Sequence, residues 1–221
     1  MIRSVFFDVG ETIVDETREY GTWADWLGVP RHTFSAVFGA VIARGQDYRE
    51  AFQVFRPGFD LDKERALRAE QGKPESFGES DLYPEARECL SSLRATGIRV
   101  GLAGNQTRRA EDILRSLHLP VDVIGTSEGW GVEKPSAAFF DRLVREARCE
   151  RSEILYVGDR IDNDIVAAQS AGLLTALVRQ GPWAHILSDP EVMGRCLFVV
   201  DNLGVLPELV ASHNKRPRSE L

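Results

Sequence analysis

Residues 154–172 read ILYVGDRIDNDIVAAQSAG. The opening ILYV is an unbroken apolar run of strand length, while Ile165, Val166 and Ala168 further on mark a helix. A strand covered by helices on both faces carries such a run, because neither face meets water. Gly158-Asp159 stands where that strand ends, with Asp162 and Asp164 close behind. The stretch predicts a buried strand, a carboxylate-rich turn and a helix. Outward from it, similar runs recur at residues 98–103 (IRVGLA), 121–124, 173–178 and 197–200, and Val5-Phe6-Phe7 closes on Asp8. Helical patterns lie between them. Ala86, Cys89, Leu90 and Leu93 follow the i, i+3, i+4, i+7 spacing, Thr107 is placed to cap a helix through Ile113, Leu114 and Leu117, and Phe139, Leu143 and Val144 mark another. Strands alternating with helices predict an α/β fold built on a mostly parallel sheet.

One stretch breaks the alternation. Residues 16–80 hold no convincing strand; Phe34, Val37, Phe38, Val41 and Ile42 form a helical stripe, and Trp23, Trp26 and Leu27 a shorter one. Ten of the nineteen aromatic residues fall here, in under a third of the chain, which predicts a helical insert with its own core. Tyr20 and Trp23, near its start, are candidates to line a pocket. The expected organisation is a core of residues 1–15 and 81–212, a helical domain of residues 16–80, and a flexible tail of residues 213–221.

Formal charge is −7, from 27 basic and 34 acidic residues, and the pI is about 5.2. An acidic chain with no basic stripe lacks the footprint of a nucleic-acid binder, so an anionic ligand would have to be held by local groups. Cys89, Cys149 and Cys196 are widely spaced and the four histidines scattered, which predicts reduced thiols and no zinc site. The N-terminal stretch meets a carboxylate too early for a signal peptide, and no apolar run suits a membrane span. The expectation is a soluble, cytoplasmic protein with no membrane or nucleic-acid partner.

Four places in the sequence carry chemistry, and each falls where a strand or loop reaches one edge of the predicted sheet: Asp8, Gly104-Asn105, Lys134-Pro135 and Gly158-Asp159. In open α/β sheets ligands bind at the carboxyl ends of the strands. A carboxylate there can attack phosphorus, dividing one difficult displacement into two, and needs a cation to offset repulsion between two anions. Magnesium is held by a few carboxylates, waters and substrate oxygens. Asp8, Asp159 and Asp164 are the candidate carboxylates, with Asp162 as an outer or substitute ligand, and Lys134 is placed to hold Asp8 and the transferring group by charge. Plainer readings stand beside these: Asp164 as a helix cap, Asn105 as a loop-shaping residue or a contact to substrate or Asp8, and Glu11 as a solvent-facing acid.

FFDVGETIVDE (residues 6–16) resembles the first motif of the haloacid dehalogenase-like hydrolases. VGLAGNQ is similar to the second, GVEKPSAAFF to the third with its Lys-Pro, and ILYVGDRIDNDIVAAQSAG to the fourth; DLYPEARECLSSLRATG resembles the return from an inserted cap. The resemblance spans residues 2–172 in order. It implies a doubly wound, Rossmann-like core with a small helical cap that closes over the active site. It also implies an aspartyl nucleophile at Asp8, assistance by Lys134, and Mg²⁺ at Asp8, the Gly10 carbonyl, Asp159 and Asp164. Gly104, Asn105 and Glu11 fall at substrate-binding positions, and a small phosphorylated metabolite is the implied substrate.

Two residues depart from the family pattern. Gly10 stands where the phosphatases carry a second Asp as general acid/base, and Gly104 where a Ser or Thr hydroxyl would bind a phosphoryl oxygen. Losing the acid/base typically costs roughly 10²–10⁴ in rate. A metal-independent dehalogenase, a phosphonate hydrolase using a cap lysine (Lys63 or Lys73), and a catalytically impaired binding protein therefore remain open beside the phosphatase.

Overall fold

The computed structural model describes residues 1–215. Strands β1 (Ser4–Phe7), β2 (Arg99–Gly104), β3 (Val123–Thr126), β4 (Ile154–Gly158), β5 (Leu174–Val178) and β6 (Phe198–Val200) form one sheet in the order β3-β2-β1-β4-β5-β6. Every neighbouring pair is parallel. All four residues of β1 and all five of β4 are buried, which is why their sequences are continuous apolar runs rather than alternating ones. The third apolar run yields a strand two residues later than its sequence suggests, because the Val121 N–H donates to the Leu119 carbonyl in a tight turn instead of joining the ladder.

Helices α5 (Ala86–Ala95), α6 (Arg108–Ser116), α7 (Ser127–Trp130), α8 (Ala137–Ala147), α9 (Val166–Ser170), α10 (Pro182–Ile186), α11 (Pro190–Gly194) and α12 (Leu206–Lys215) surround this sheet. Thr107 caps α6 as its spacing predicts, its hydroxyl accepting from the Ala110 N–H at 3.0 Å. Helix α8 buries Phe139, Phe140 and Leu143 in a cluster with Phe6 and Tyr156, which are cross-strand partners on β1 and β4. The expected tail at 213–221 is partly corrected: α12 continues through Lys215 and His213 is buried. The Asn214 side chain holds both backbone groups of Ile2, and this anchors the helix end. Residues 216–221 lie outside the described residues. Among the described residues no helix is long and apolar enough to cross a membrane.

The described residues divide into two compact units, one of residues 1–14 and 82–215 and one of residues 15–81. The second is helical: α1 (Thr17–Leu27), α2 (Arg31–Ala43), α3 (Glu50–Phe55) and α4 (Leu61–Glu70). Phe52 is the hub of its core, with ring centroids 5.6 Å from Trp23, 5.3 Å from Phe34 and 4.8 Å from Phe59. Trp23 thus belongs to this core rather than to a pocket wall, and Tyr20 packs on Phe38 at 4.4 Å. Buried Arg68 lies 4.0 Å over the Trp23 ring and pairs with Glu19 at 3.0 Å, so its charge is taken inside with partners.

Candidate active site

The strand order reverses direction between β1 and β4, the crevice where α/β sheets bind ligands. Phe7 is paired with Val157 at the end of that register, and the Asp8 N–H adds one further bond to the Val157 carbonyl at 2.8 Å. Asp8 therefore leaves β1 beside Gly158, with Asp159 next along the neighbouring strand. Lys134 enters from the segment between α7 and α8. Its Nζ lies 2.7 Å from Asp8 Oδ1 and 2.6 Å from Asp164 Oδ1. Relative exposure is 7% for Asp8, 3% for Lys134, 1% for Asp159 and 0% for Asp164. Four charged groups this deeply buried must compensate one another, since an isolated ion loses several kcal/mol of hydration.

The supporting contacts explain how they are held. Asn105 grips the Lys134 peptide from both sides, its Oδ1 accepting the Lys134 N–H at 2.8 Å and its Nδ2 donating to the Lys134 carbonyl at 2.9 Å. Of the two readings of Asn105 this favours loop shaping over a contact to Asp8: Asn105 orients the lysine. Tyr156, fully buried, donates its hydroxyl to the Ala103 carbonyl at 2.8 Å, and its ring lies 5.7 Å from Lys134 Nζ. Asp164 is not a helix cap. It sits within one π-helical turn, Ile161–Ile165, where its Oδ2 accepts the Arg160 N–H at 3.0 Å while Oδ1 faces Lys134; single π turns recur at functional sites. Asp162 is committed to Arg160 at 2.7 Å, outside the carboxylate cluster.

Burial alone would pull the Lys134 ammonium down, but the carboxylates of Asp164 and Asp8 more than reverse this and hold it charged well above the ordinary lysine range. Asp159 is pushed well above the usual carboxylate range, first by burial and then by the negative charges of Asp164, Asp8 and Glu11. Asp164 rises to about 6, because burial outweighs the lysine's attraction. Asp159 Oδ2 is buried with no hydrogen-bond partner. Ligand oxygens of Asp8, Asp159 and Asp164 lie within 4.8 Å of one another. Ionised together, the three carboxylates against one ammonium would carry an excess of two negative charges, the charge of one divalent cation. An orphaned buried oxygen in an all-oxygen cluster fits a hard cation such as Mg²⁺. The Gly10 backbone, which forms an isolated bridge to Val14, lies two residues past Asp8.

Two glycines make room for the cluster. A Cβ on Gly104 would stand 2.4 Å from Asp8 Oδ1, so the absence of a hydroxyl-bearing residue here goes with a close approach of Asp8. A Cβ on Gly158 would stand 2.4–2.6 Å from the Asp164 carboxyl group and Cβ. Gly158→Ala should thus push Asp164 off Lys134 and destabilise the protein by about 1–3 kcal/mol, the usual range for overpacking. Thermal unfolding with and without Mg²⁺ checks this: the variant should lose stability and metal response together, and an unchanged melting temperature would refute the crowding.

Glu11 departs most from its sequence expectation. It is 6% exposed, and its Oε2 accepts the Tyr83 hydroxyl at 2.6 Å. An extended backbone would have turned it to solvent, but φ is +54°. Tyr83, Tyr156, Arg160 and Trp183 escaped sequence reasoning, since none lies in a spacing that signals chemistry; Arg160 packs over the Trp183 ring at 5.0 Å.

Against known proteins, the chain is 31% identical over 136 residues to glyceraldehyde 3-phosphate phosphatase of Methanocaldococcus jannaschii, covering 60% of this chain and 58% of that one. It is 24% identical over 228 residues to the protein of the same name from Methanothermobacter thermautotrophicus, covering 95% and 100%. Its fold matches that of the HAD-hydrolase YfnB from Bacillus subtilis, solved bound to magnesium, with a TM-score of 0.67 at 20% identity over 95% of this chain and 98% of that one. The family model for haloacid dehalogenase-like hydrolase matches residues 2–172, from the strand that carries Asp8 to the end of the turn and helix that carry Asp159 and Asp164. With that sheet order and that buried cluster, the chain belongs to the haloacid dehalogenase-like hydrolases.

Proposed function

We propose that the protein is a Mg²⁺-dependent phosphatase acting on a small phosphorylated metabolite through an aspartyl-phosphate at Asp8. The observation that carries this reading is the unpartnered, buried Asp159 Oδ2 beside Asp8 and Asp164. A dehalogenase working without metal has no use for such an oxygen, whereas a cation there would satisfy it. The curated relatives named as phosphatases support the same direction.

In this reading Asp8, Asp159, Asp164 and the Gly10 carbonyl hold the cation, which when bound offsets the charge of the phosphoryl oxygens. Asp8 attacks phosphorus; its oxygen–phosphorus bond forms as the ester bond breaks, and the leaving alkoxide takes its proton from solvent water, Gly10 leaving no carboxylic acid there. Water then attacks the aspartyl-phosphate, releasing inorganic phosphate and restoring Asp8. Lys134 orients Asp8 through their 2.7 Å contact and neutralises charge building on the transferring group. Asn105 fixes the lysine, and Gly104 leaves the space Asp8 occupies.

The test uses the wild-type protein with an aryl phosphate and, separately, a 2-haloacid, each with Mg²⁺ and after metal removal. Phosphate release that depends on Mg²⁺ is the expected result. Halide release without metal would replace this reading with a dehalogenase, and no turnover of either compound would replace it with a binding protein.

A further inference from the structure

At the amino-terminal edge of the sheet, opposite the edge that carries Asp8, lies a cavity of about 560 Å³, within the size range of small-molecule sites. Buried Ile2 and Ile98 give it apolar wall, and Arg3, Arg99, Arg148 and Lys215 line it. Among the described residues no acidic side chain does, although the whole chain carries a net charge of −7. Arg3 and Arg99 are neighbours on adjoining strands, the Arg99 N–H donating to the Arg3 carbonyl at 3.0 Å, while Arg148 caps α8 and Lys215 ends α12. Nearby acids do not cancel this charge. Glu153 lies 3.6 Å from Arg3, beyond hydrogen-bond length, and the same oxygen accepts the Glu150 N–H at 3.2 Å. The Glu146 carboxylate is taken by Arg142 at 2.7 Å, and only its backbone carbonyl meets Arg99, at 2.8 Å. With Glu153 counted against Arg3, three of the four cations remain. The dipoles of α8 and α12 account for one cation each at their carboxyl ends, but not for Arg3 and Arg99 at strand starts. Arg148 moreover has a φ of +58°, a helix-end conformation that favours glycine, so a guanidinium is held there at a conformational cost.

We propose that this cavity binds a free small molecule carrying two or more phosphate or carboxylate groups, at a site separate from the active site and independent of the phosphatase reading. Arginine forks match the oxygens of both groups. One anionic group cannot engage cations drawn from four segments, whereas a ligand with two or more can. A recess with apolar wall and a few convergent charges suits a small molecule better than an extended polyanion, which needs a basic stripe. Asp8 follows Arg3 by five residues along β1, roughly 16 Å at the rise of a strand, so an occupant of the cavity does not touch the carboxylate cluster.

The probe is inorganic pyrophosphate, titrated calorimetrically into the full chain at constant ionic strength. Metal is first removed by dialysis, so that the probe cannot bridge to a cation at the active site. The wild type should show saturable binding at one site, with orthophosphate at least about tenfold weaker because it offers a single group. Arg148→Gly should bind pyrophosphate about tenfold more weakly, the order expected for one lost charged hydrogen bond. The same variant should unfold at an equal or higher temperature, since glycine suits a φ of +58°, and lost binding then cannot be put down to misfolding. Arg99→Gln should lose affinity to a similar degree. No saturable binding in the wild type, or equal affinity in both variants, would overturn the inference. Co-sedimentation with phosphatidylcholine vesicles containing phosphatidic acid distinguishes a lipid headgroup from a free ligand. Retention that both variants lose would overturn the free-ligand assignment, and its absence supports it. None of these readouts depends on whether the protein releases phosphate from an ester.

Discussion

Replacing Asp8 by asparagine should lower phosphate release by on the order of 10⁴-fold or more, as expected when a nucleophile is removed from a unit that acts together. The amide is nearly isosteric but cannot form the acyl-phosphate. Stability should hold, and in the metal-free protein even rise, because the change removes one of three crowded carboxylates while Lys134 keeps Asp164 at 2.6 Å. The paired measurement is therefore turnover of an aryl phosphate together with thermal unfolding of the same preparation. A variant retaining more than about one part in a hundred of wild-type activity would remove Asp8 from the nucleophile's role.

The second large effect concerns Lys134. Lys134→Met keeps the length of the side chain and removes its charge, leaving Asp8, Asp159 and Asp164 buried with no ammonium among them. Breaking a buried ion pair on one side costs about 3–5 kcal/mol, which for a chain of this size lowers the melting temperature by on the order of 10 °C. Turnover should fall by roughly 10²–10³, as when one electrostatic donor is lost from an active site. Mg²⁺ should recover part of the stability, since a ligand of the folded state stabilises it by mass action, but not the turnover. Calorimetry across a Mg²⁺ series checks both halves. An unchanged melting temperature without metal would mean that the three carboxylates do not depend on this lysine.

Much of the core was legible because buried parallel strands write themselves as apolar runs, and Asp8 and Asp159 are found simply by following two of those runs to their ends. The family motifs added Lys134 and Asp164. What escaped lies in backbone conformation and long-range contact. The inference that Glu11 faces solvent assumed an extended backbone, and a φ of +54° cancels it. The plainer cap reading of Asp164, set beside its reading as a metal carboxylate, assumes a regular helix where the chain makes a π turn. Tyr83 is 72 positions from its partner Glu11, and no local pattern encodes that pairing. Asn105 was assigned to the site, but its real partner, the Lys134 peptide, is 29 positions away and equally invisible from spacing.

The cluster draws its oxygens from position 8 and from positions 159 and 164, and only the pairing of β1 with β4 brings them together. An unfolded chain cannot gather these groups, so under the proposed function cation affinity would belong to the finished sheet and add directly to folding free energy. That pairing closes a loop of most of the chain, a slow kind of contact to form. Under the proposed function, metal capture would be a late checkpoint in the protein's maturation, a sign that the neighbouring strands farthest apart in sequence have already met.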